Sequence, residues 1–275
     1  MALITVSRQS GSRGEEITDL LARALGLRRI DKQTLESALV RHGVPQTNVE
    51  RYDEKKPNFW DLFSTERDRY YHYLKAAILE TARDGNQIIL GRGAPVILGA
   101  VPGVLHLRIV APEETRVQRL MEEHGCDEAH ARKILHRDDH DRSGFYHVYF
   151  NVDWGSAELY DVTFNTATVT AEMVVATVQS LITAPSFTEA AQRTEQRLGE
   201  MAAAQQILTM IIFQEKIPLR FPGVEVHGGT AIISGAVSVS AHADRCTEVA
   251  RTVEGIDSVD VRIACVPENY DGAYM

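Results

Sequence analysis

The stretch I-T-V-S-R-Q-S-G-S-R-G-E-E-I, Ile4 to Ile17, decides how the chain is read. A short β-branched run beginning at Leu3 meets Gly11 and Gly14, and a helical pattern opens directly behind them. Ile17, Leu20, Leu21, Ala24 and Leu25 fall on one helical face, and Gly26 stands where a C-cap belongs. Strand, glycine turn and helix N-terminus together can hold phosphate on backbone N–H groups, with the helix dipole favouring the anion. The common phosphate-loop pattern GxxxxGK[ST] requires a lysine near its end. Here Gly14 stands in the lysine position and Glu15 in that of the magnesium-binding hydroxyl. A carboxylate there repels phosphate unless it points away or binds the metal itself. Arg8 and Arg13 flank the turn, and either can replace the lysine as a cation capable of bidentate contact to phosphate oxygens. Glycine-rich strand-to-helix turns are also common in α/β proteins without a ligand, so the turn alone leaves both readings open.

At 275 residues the chain has room for one large domain or two unequal ones. A hydrophobic share of 44% and a charged share of 24% are those of an ordinary globular protein. The net charge of −9 argues against a general nucleic-acid binder, which needs a broad excess of Lys and Arg to displace counterions. No apolar run approaches the roughly 20 residues of a membrane span, and no secretory leader is evident, so a cytoplasmic location is expected. Cys126, Cys246 and Cys265 are too few and too scattered for a disulfide framework or a CxxC metal pair.

Outward from the turn, a second helix is predicted from Asp31 to about Gly43, then a polar stretch with Pro45 and Pro57. Phe59, Trp60, Phe63, Tyr70, Tyr71 and Tyr73 follow, the later ones on a long helix ending near Gly85, either as core or as the wall of a base-sized pocket. Gln87 to Leu90 reads as a buried strand closed by Gly91-Arg92-Gly93, and Val104 to Val110 as another. Pro112, Glu113 and Glu114 open the next helix, with Pro112 expected at its first position. Asp127 is a candidate N-cap for a charged helix running into R-D-D-H-D-R-S-G-F-Y, a glycine-hinged segment expected to be mobile. Within it, Arg137 with Asp141 and Asp138 with Arg142 are spaced for ion pairs four apart. His136 and His140 have an HxxxH spacing, but Arg137 stands where a zinc protease needs glutamate, and a solvated helix face is the simpler reading. A fourth strand, Asp161 to Asn165, and a helix capped by Thr170 and reaching about Thr183 close a first unit. This alternation predicts a parallel sheet with helices on both faces.

Ala184 to Thr188 reads as a boundary. Beyond it a long helix, two strands joined at Gly228-Gly229, a helix and a last strand make a small αββαβ domain of the α+β class. The expected division is residues 1–184 for the first domain, 185–204 for a connecting segment, 205–268 for the second domain and 269–275 for a tail.

The ordered set I-T-V-S-R-Q-S-G-S-R-G-E-E-I, R-R-I-D-K-Q-T-L, I-I-L-G-R-G-A, R-D-D-H-D-R and Y-D-V-T-F-N-T resembles the cytidylate kinase-like family, a divergent branch of the P-loop nucleoside monophosphate kinases. The resemblance implies a P-loop kinase-like domain and transfer of the γ-phosphoryl group of ATP to CMP or a related acceptor, with Mg2+ as the donor's partner. It places Gly11, Ser12, Arg13 and Gly14, with Arg8, at the donor phosphates. Arg92 falls at the acceptor, although the family's aspartate after that arginine is Gly93 here. Arg137 and Arg142 match the lid arginines, with Arg132 a further candidate toward the substrate and Asp138 and Asp141 placed to orient them. The family's acid at the end of the second strand is missing, Leu90 lying there, which leaves Asp31 and Glu15 as candidate metal ligands and Asp31 also near the substrate. A non-catalytic nucleotide sensor is the alternative.

The segment V-E-V-H-G-G-T-A-I-I-S-G-A-V with V-A-R-T-V-E-G-I-D-S-V-D-V resembles the BON domain, with Gly229, Gly235 and Gly255 at its turn positions. That resemblance implies a module for binding lipid or another ligand, for regulation or for self-association.

Overall fold

The computed structural model describes residues 2–30, 32–42, 44 and 65–266. Asp31, the aromatics Phe59, Trp60 and Phe63, and the tail after Val266 lie outside the described residues. The chain divides into two compact units, Met1–Glu195 and Gln196–Met275.

The first unit is a five-stranded sheet in the order β2-β3-β1-β4-β5, formed by β1 (Leu3–Arg8), β2 (Arg28–Ile30), β3 (Gln87–Leu90), β4 (Val104–Val110) and β5 (Val162–Asn165). Every pairing is parallel, with Val6 level with Leu90 on one side and Leu107 on the other. Four of these strands are those expected. β2 was not expected, because R-R-I offers a single apolar residue, Ile30, to the core.

The central strand has two unlike faces. Ile4 and Val6 join Ile88, Leu90, Leu105 and Leu107 in a core shared with Ile17 and Leu21 of α1 (Gly14–Leu25) and with Val174 and Val178 of α7 (Ala171–Thr183). Burial of such side chains stabilises by about 1.5–3 kcal/mol each, so this face anchors the strand from which the loop departs. Ala24, expected on the same stripe, is exposed, while Gly26 caps the helix in the left-handed conformation as expected. On the opposite face buried polar groups pair with one another. Thr5 Oγ1 lies 2.8 Å from His106 Nδ1, and Trp154 Nε1 donates to Ser7 Oγ at 2.9 Å. Burial holds the His106 pKa below its ordinary value, with Asp161 opposing that shift.

Between β2 and β3 lie α2 (Lys32–Arg41) and α3 (Thr65–Arg83), and the short α4 (Ala94–Ile97) follows β3. After β4 come α5 (Glu113–His124) and α6 (Glu128–Phe150). Pro112 is the N-cap of α5, one place before the position expected. Asp127 caps α6 by accepting from the His130 N–H, and Thr170 caps α7 by accepting from the Met173 N–H. The segment expected to be a mobile hinge is the interior of α6, which runs unbroken through Gly144. Phe145, Tyr146, Tyr149 and Phe150 on that helix form a ring cluster with Tyr70 and Tyr71 of α3, and this packing outweighs the helix cost of about 1 kcal/mol for one glycine. Tyr70 and Tyr73 are therefore core, whereas Tyr71 lines a cavity of ≈ 490 Å³ with Arg67, His147 and Phe150.

The short α8 (Pro185–Ala191) precedes α9 (Thr194–Thr209), within which the division between the units falls. The second unit continues through a π-helical turn at Met210–Gln214, β6 (Arg220–His227), β7 (Thr230–Val237), α10 (Ser240–Arg251) and β8 (Ser258–Cys265). β7 is central, antiparallel to β6 and parallel to β8. Its core joins Ile207, Ile211, Ile233, Val237, Cys246 and Val249. Gly229 and Gly255 lie in turns as expected, but Gly235 lies inside β7.

No helix among the described residues is long and apolar enough to cross a membrane.

Candidate functional site

The chain leaves β1 toward the side strands β2 and β3, then crosses to β4 and β5 on the other side, so the topology reverses around β1. In open α/β sheets the crevice outside the carboxyl ends of the strands at such a point is where ligands bind. The loop from Gln9 to Arg13 occupies that position. It borders a cavity of ≈ 440 Å³ whose walls include Arg8, Gly11, Ser12, Arg13, Gly14, Arg119, Asp138 and Arg142.

Local chemistry explains the shape of the loop. Ser12 is fully buried, and its hydroxyl donates to the Gln9 carbonyl at 2.7 Å. Arg13 is the N-cap of α1 at φ 60, a left-handed conformation uncommon outside glycine, and its side chain is 56% exposed at the mouth. The N–H groups of Gly14, Glu15 and Glu16 belong to the first turn of α1, where no intrahelical acceptor exists. They have no partner among the described residues and supply the donors an anion needs.

Gly14 cannot be lysine in this fold. A Cβ there would overlap the Cβ of Arg8 and lie 2.8 Å from its Cγ. The stem of Arg8 fills the space where the side chain of residue 14 would start, which puts a guanidinium beside the loop in place of an ammonium. Arg8 Nη2 lies 3.3 Å from Glu15 Oε1, and Arg29 Nη2 lies 3.1 Å from Glu15 Oε2. Arg29 also pairs with Asp19. Glu15 is thus tied to two arginines, which removes much of its repulsion toward a phosphate. Among the described residues no group of three or more His, Cys, Asp or Glu stands together.

α5 and the end of β5 prop the loop from outside. Arg119 donates to the Gly11 carbonyl at 3.3 Å, to Thr166 Oγ1 at 2.9 Å and to the Thr166 carbonyl at 2.8 Å. Thr166 Oγ1 in turn donates to the Ser12 carbonyl at 2.9 Å. Burial and then the charge of Arg13 hold the Arg119 pKa below its ordinary value. Two guanidiniums close enough to disfavour each other's charge are relieved by an anion between them.

Of the arginines in the R-D-D-H-D-R segment, α6 brings Arg142 into the cavity wall. Arg137 is exposed and bonds its neighbour Asp138 at 2.9 Å, and Arg142 lies 3.7 Å from Asp139. The pairs expected four residues apart are replaced by these nearer ones, because Asp138 and Asp139 are turned to the loop. Arg132 sits outside the cavity, held by Glu113, Glu114 and Glu128 at 2.7 to 2.8 Å, and the hydrogen bonds it donates to Glu114 and Glu128 raise its pKa. His136 lies 3.6 Å from Glu113.

Arg92 lies at the end of β3 in a turn where Gly91, Arg92 and Gly93 all have positive φ, at 74, 57 and 70. Its guanidinium is buried, 3.5 Å from Tyr70 Oη and 3.5 Å from Glu36 Oε1. It is not among the residues lining the loop cavity. Arg116, Arg119, Asp139 and Thr166 were missed in the sequence. Two arginines three apart on the helix after the Val104 to Val110 strand were the available signal.

A model of the Cytidylate kinase-like family matches residues 3–168. An uncharacterized protein from Eubacterium ventriosum has a structure that superposes with a TM-score of 0.52 at 20% identity, over 66% of this chain and 98% of that one, a likeness of fold. Shikimate kinase from Bacteroides thetaiotaomicron aligns at a TM-score of 0.39 and 17% identity, over 66% of this chain and 98% of that one. A uronate isomerase from Corynebacterium glutamicum is 36% identical over 98 residues, which is 36% of this chain. The chain spans 19% of the length of that curated relative.

Proposed function

The chain belongs to the cytidylate kinase-like family, and from that membership we propose that it is a phosphotransferase carrying the γ-phosphoryl group of ATP to CMP or a related nucleoside monophosphate. The observation that supports this best is the loop cavity, where the first-turn N–H groups of α1 face the same space as Arg8, Arg13, Arg119 and Arg142.

The donor phosphates lie beside Gly11, Ser12 and Arg13 on the N–H groups of Gly14, Glu15 and Glu16, with Arg8 in the role of the missing lysine and Arg13 and Arg119 at the rim. Arg92 receives the acceptor phosphate at the neighbouring strand end, with Asp31 near the substrate. An acceptor phosphate oxygen attacks the γ-phosphorus in line, the bond from that phosphorus to the β-phosphate oxygen breaks, and ADP leaves with the bond's electrons. Such a transfer asks the protein for positioning and charge stabilisation more than for covalent chemistry. Arg142 supplies charge to the transferred group, and Arg137, exposed on the same helix, is assigned to that group with it. Arg132 has no part in this reading because three carboxylates hold it elsewhere. Magnesium accompanying the donor would neutralise phosphate charge.

Incubation of the purified chain with ATP, magnesium and a panel of nucleoside monophosphates, with ADP formation followed, tests the proposal. Nucleotide binding without acceptor-stimulated turnover favours the sensor reading, for which the loss of the lysine is the supporting observation. For the second unit, with its αββαβ order, we propose a binding role of the BON type. Sedimentation of the full chain with anionic liposomes tests the lipid form of that role.

A further inference from the structure

We infer that Asp139 is a positioning residue that couples the loop to Arg142, an inference that rests on reading the loop cavity as the site of phosphoryl transfer. One carboxylate meets three elements. Oδ1 accepts from the Ser10 N–H at 3.0 Å, and Oδ2 accepts from Arg116 Nη1 at 2.5 Å. Arg142 Nη1 lies 3.7 Å from Oδ1. Beside it, the Ser10 hydroxyl donates to Asp138 Oδ2 at 3.1 Å, so two successive residues of α6 grip one loop residue by its backbone and its side chain.

The location makes this grip consequential. The side chain of Asp139 is 19% exposed, that of Arg142 17% and that of Arg116 8%, so solvent screens these charges less than it screens a surface pair. Arg116 and Arg142 both face this one carboxylate, and Arg116 Nη1 also donates to the Ser10 carbonyl at 3.3 Å. Arg142 lines the cavity, and Asp139 sets its aim relative to the loop on which the donor phosphates rest. Asp139 needs no contact with the substrate for this role; it acts through Arg142.

That dependence separates positioning from simple support. If Asp139 only propped the loop, its loss would slow transfer equally with or without Arg142. If it aims Arg142, its loss has nothing left to disturb once Arg142 is gone. The experiment measures kcat and KM for ATP at saturating acceptor, on the full chain, for the wild type, Asp139→Asn, Arg142→Ala and the double variant. The expected result is a fall in kcat of about tenfold or more for Asp139→Asn in the wild-type background and less than about twofold in the Arg142→Ala background, with KM for ATP little changed. Asp139→Glu keeps the charge one methylene further out. It is expected to recover part of the rate where Arg142 is present and none where it is absent, and it carries the test if Asp139→Asn does not fold. Additive losses in kcat, or a loss confined to KM, overturn the inference while leaving the phosphotransferase reading in place. No turnover by the wild type with any acceptor overturns both.

Discussion

Gly11 lies directly against the backbone of Arg116: a Cβ on Gly11 would stand 2.7 Å from the Arg116 carbonyl oxygen, and Gly11 itself sits at φ +72. The loop and α5 are thus packed main chain to main chain, which only glycine permits. Gly11→Ala adds both a clash and a strained backbone, and is expected to cost about 1–3 kcal/mol of stability. Urea unfolding of the variant checks the cost, and calorimetric titration with ATP checks the accompanying loss of affinity.

The same kind of contact settles why the loop has no lysine. Gly14 and Arg8 compete for one space. Restoring the common pattern by Gly14→Lys is expected to lower stability and to leave nucleotide affinity no better than in the wild type. Arg8→Ala is expected to weaken ATP binding about tenfold or more, as loss of a charge-assisted contact to phosphate should. Titration of both variants with ATP checks these outcomes.

Much of this was legible in the sequence, and the rest was hidden for identifiable reasons. Caps are local chemistry, so Gly26, Asp127 and Thr170 could be read from a few neighbouring residues, and the strands led by Leu3, Gln87 and Val104 from their apolar runs. β2 was hidden because Arg28 and Arg29 mask a strand that needs only Ile30 in the core. The continuity of α6 through Gly144 was hidden because it depends on aromatic packing against α3, more than 70 residues earlier. The site was half visible. Glu15 reads as a defect until Arg29 is brought to it from β2, and Asp139 reads as one surface acid among several until Ser10 is placed against it.

Arg132 and Arg142 look alike in the sequence and are placed differently. Arg132→Ala is expected to change kcat and KM by less than about twofold, since exposed ion pairs contribute little. Arg142→Ala is expected to lower kcat by about a hundredfold or more with a small change in ATP affinity, the signature of a contact made in the transition state. Steady-state kinetics beside equilibrium titration distinguishes the two.

His72, buried on α3, gives the protein a predictable acid response. Burial first, then the charges of Lys75 and His42, lower its pKa from 6.5 to about 4. The folded state disfavours the protonated ring, so this contribution to stability is fully present above pH 6.5. It declines as pH falls from there and is exhausted below about 4. The whole loss is about 3 kcal/mol, and His72→Gln is expected to flatten unfolding free energies measured between pH 6.5 and 5.

ADP formation from ATP by the purified full chain, in the presence of magnesium and each nucleoside monophosphate in turn, tests the central claim most directly. Acceptor-stimulated turnover that disappears in Arg142→Ala while ATP still binds is the predicted result. ATP binding by the wild type with no stimulation by any acceptor would contradict it.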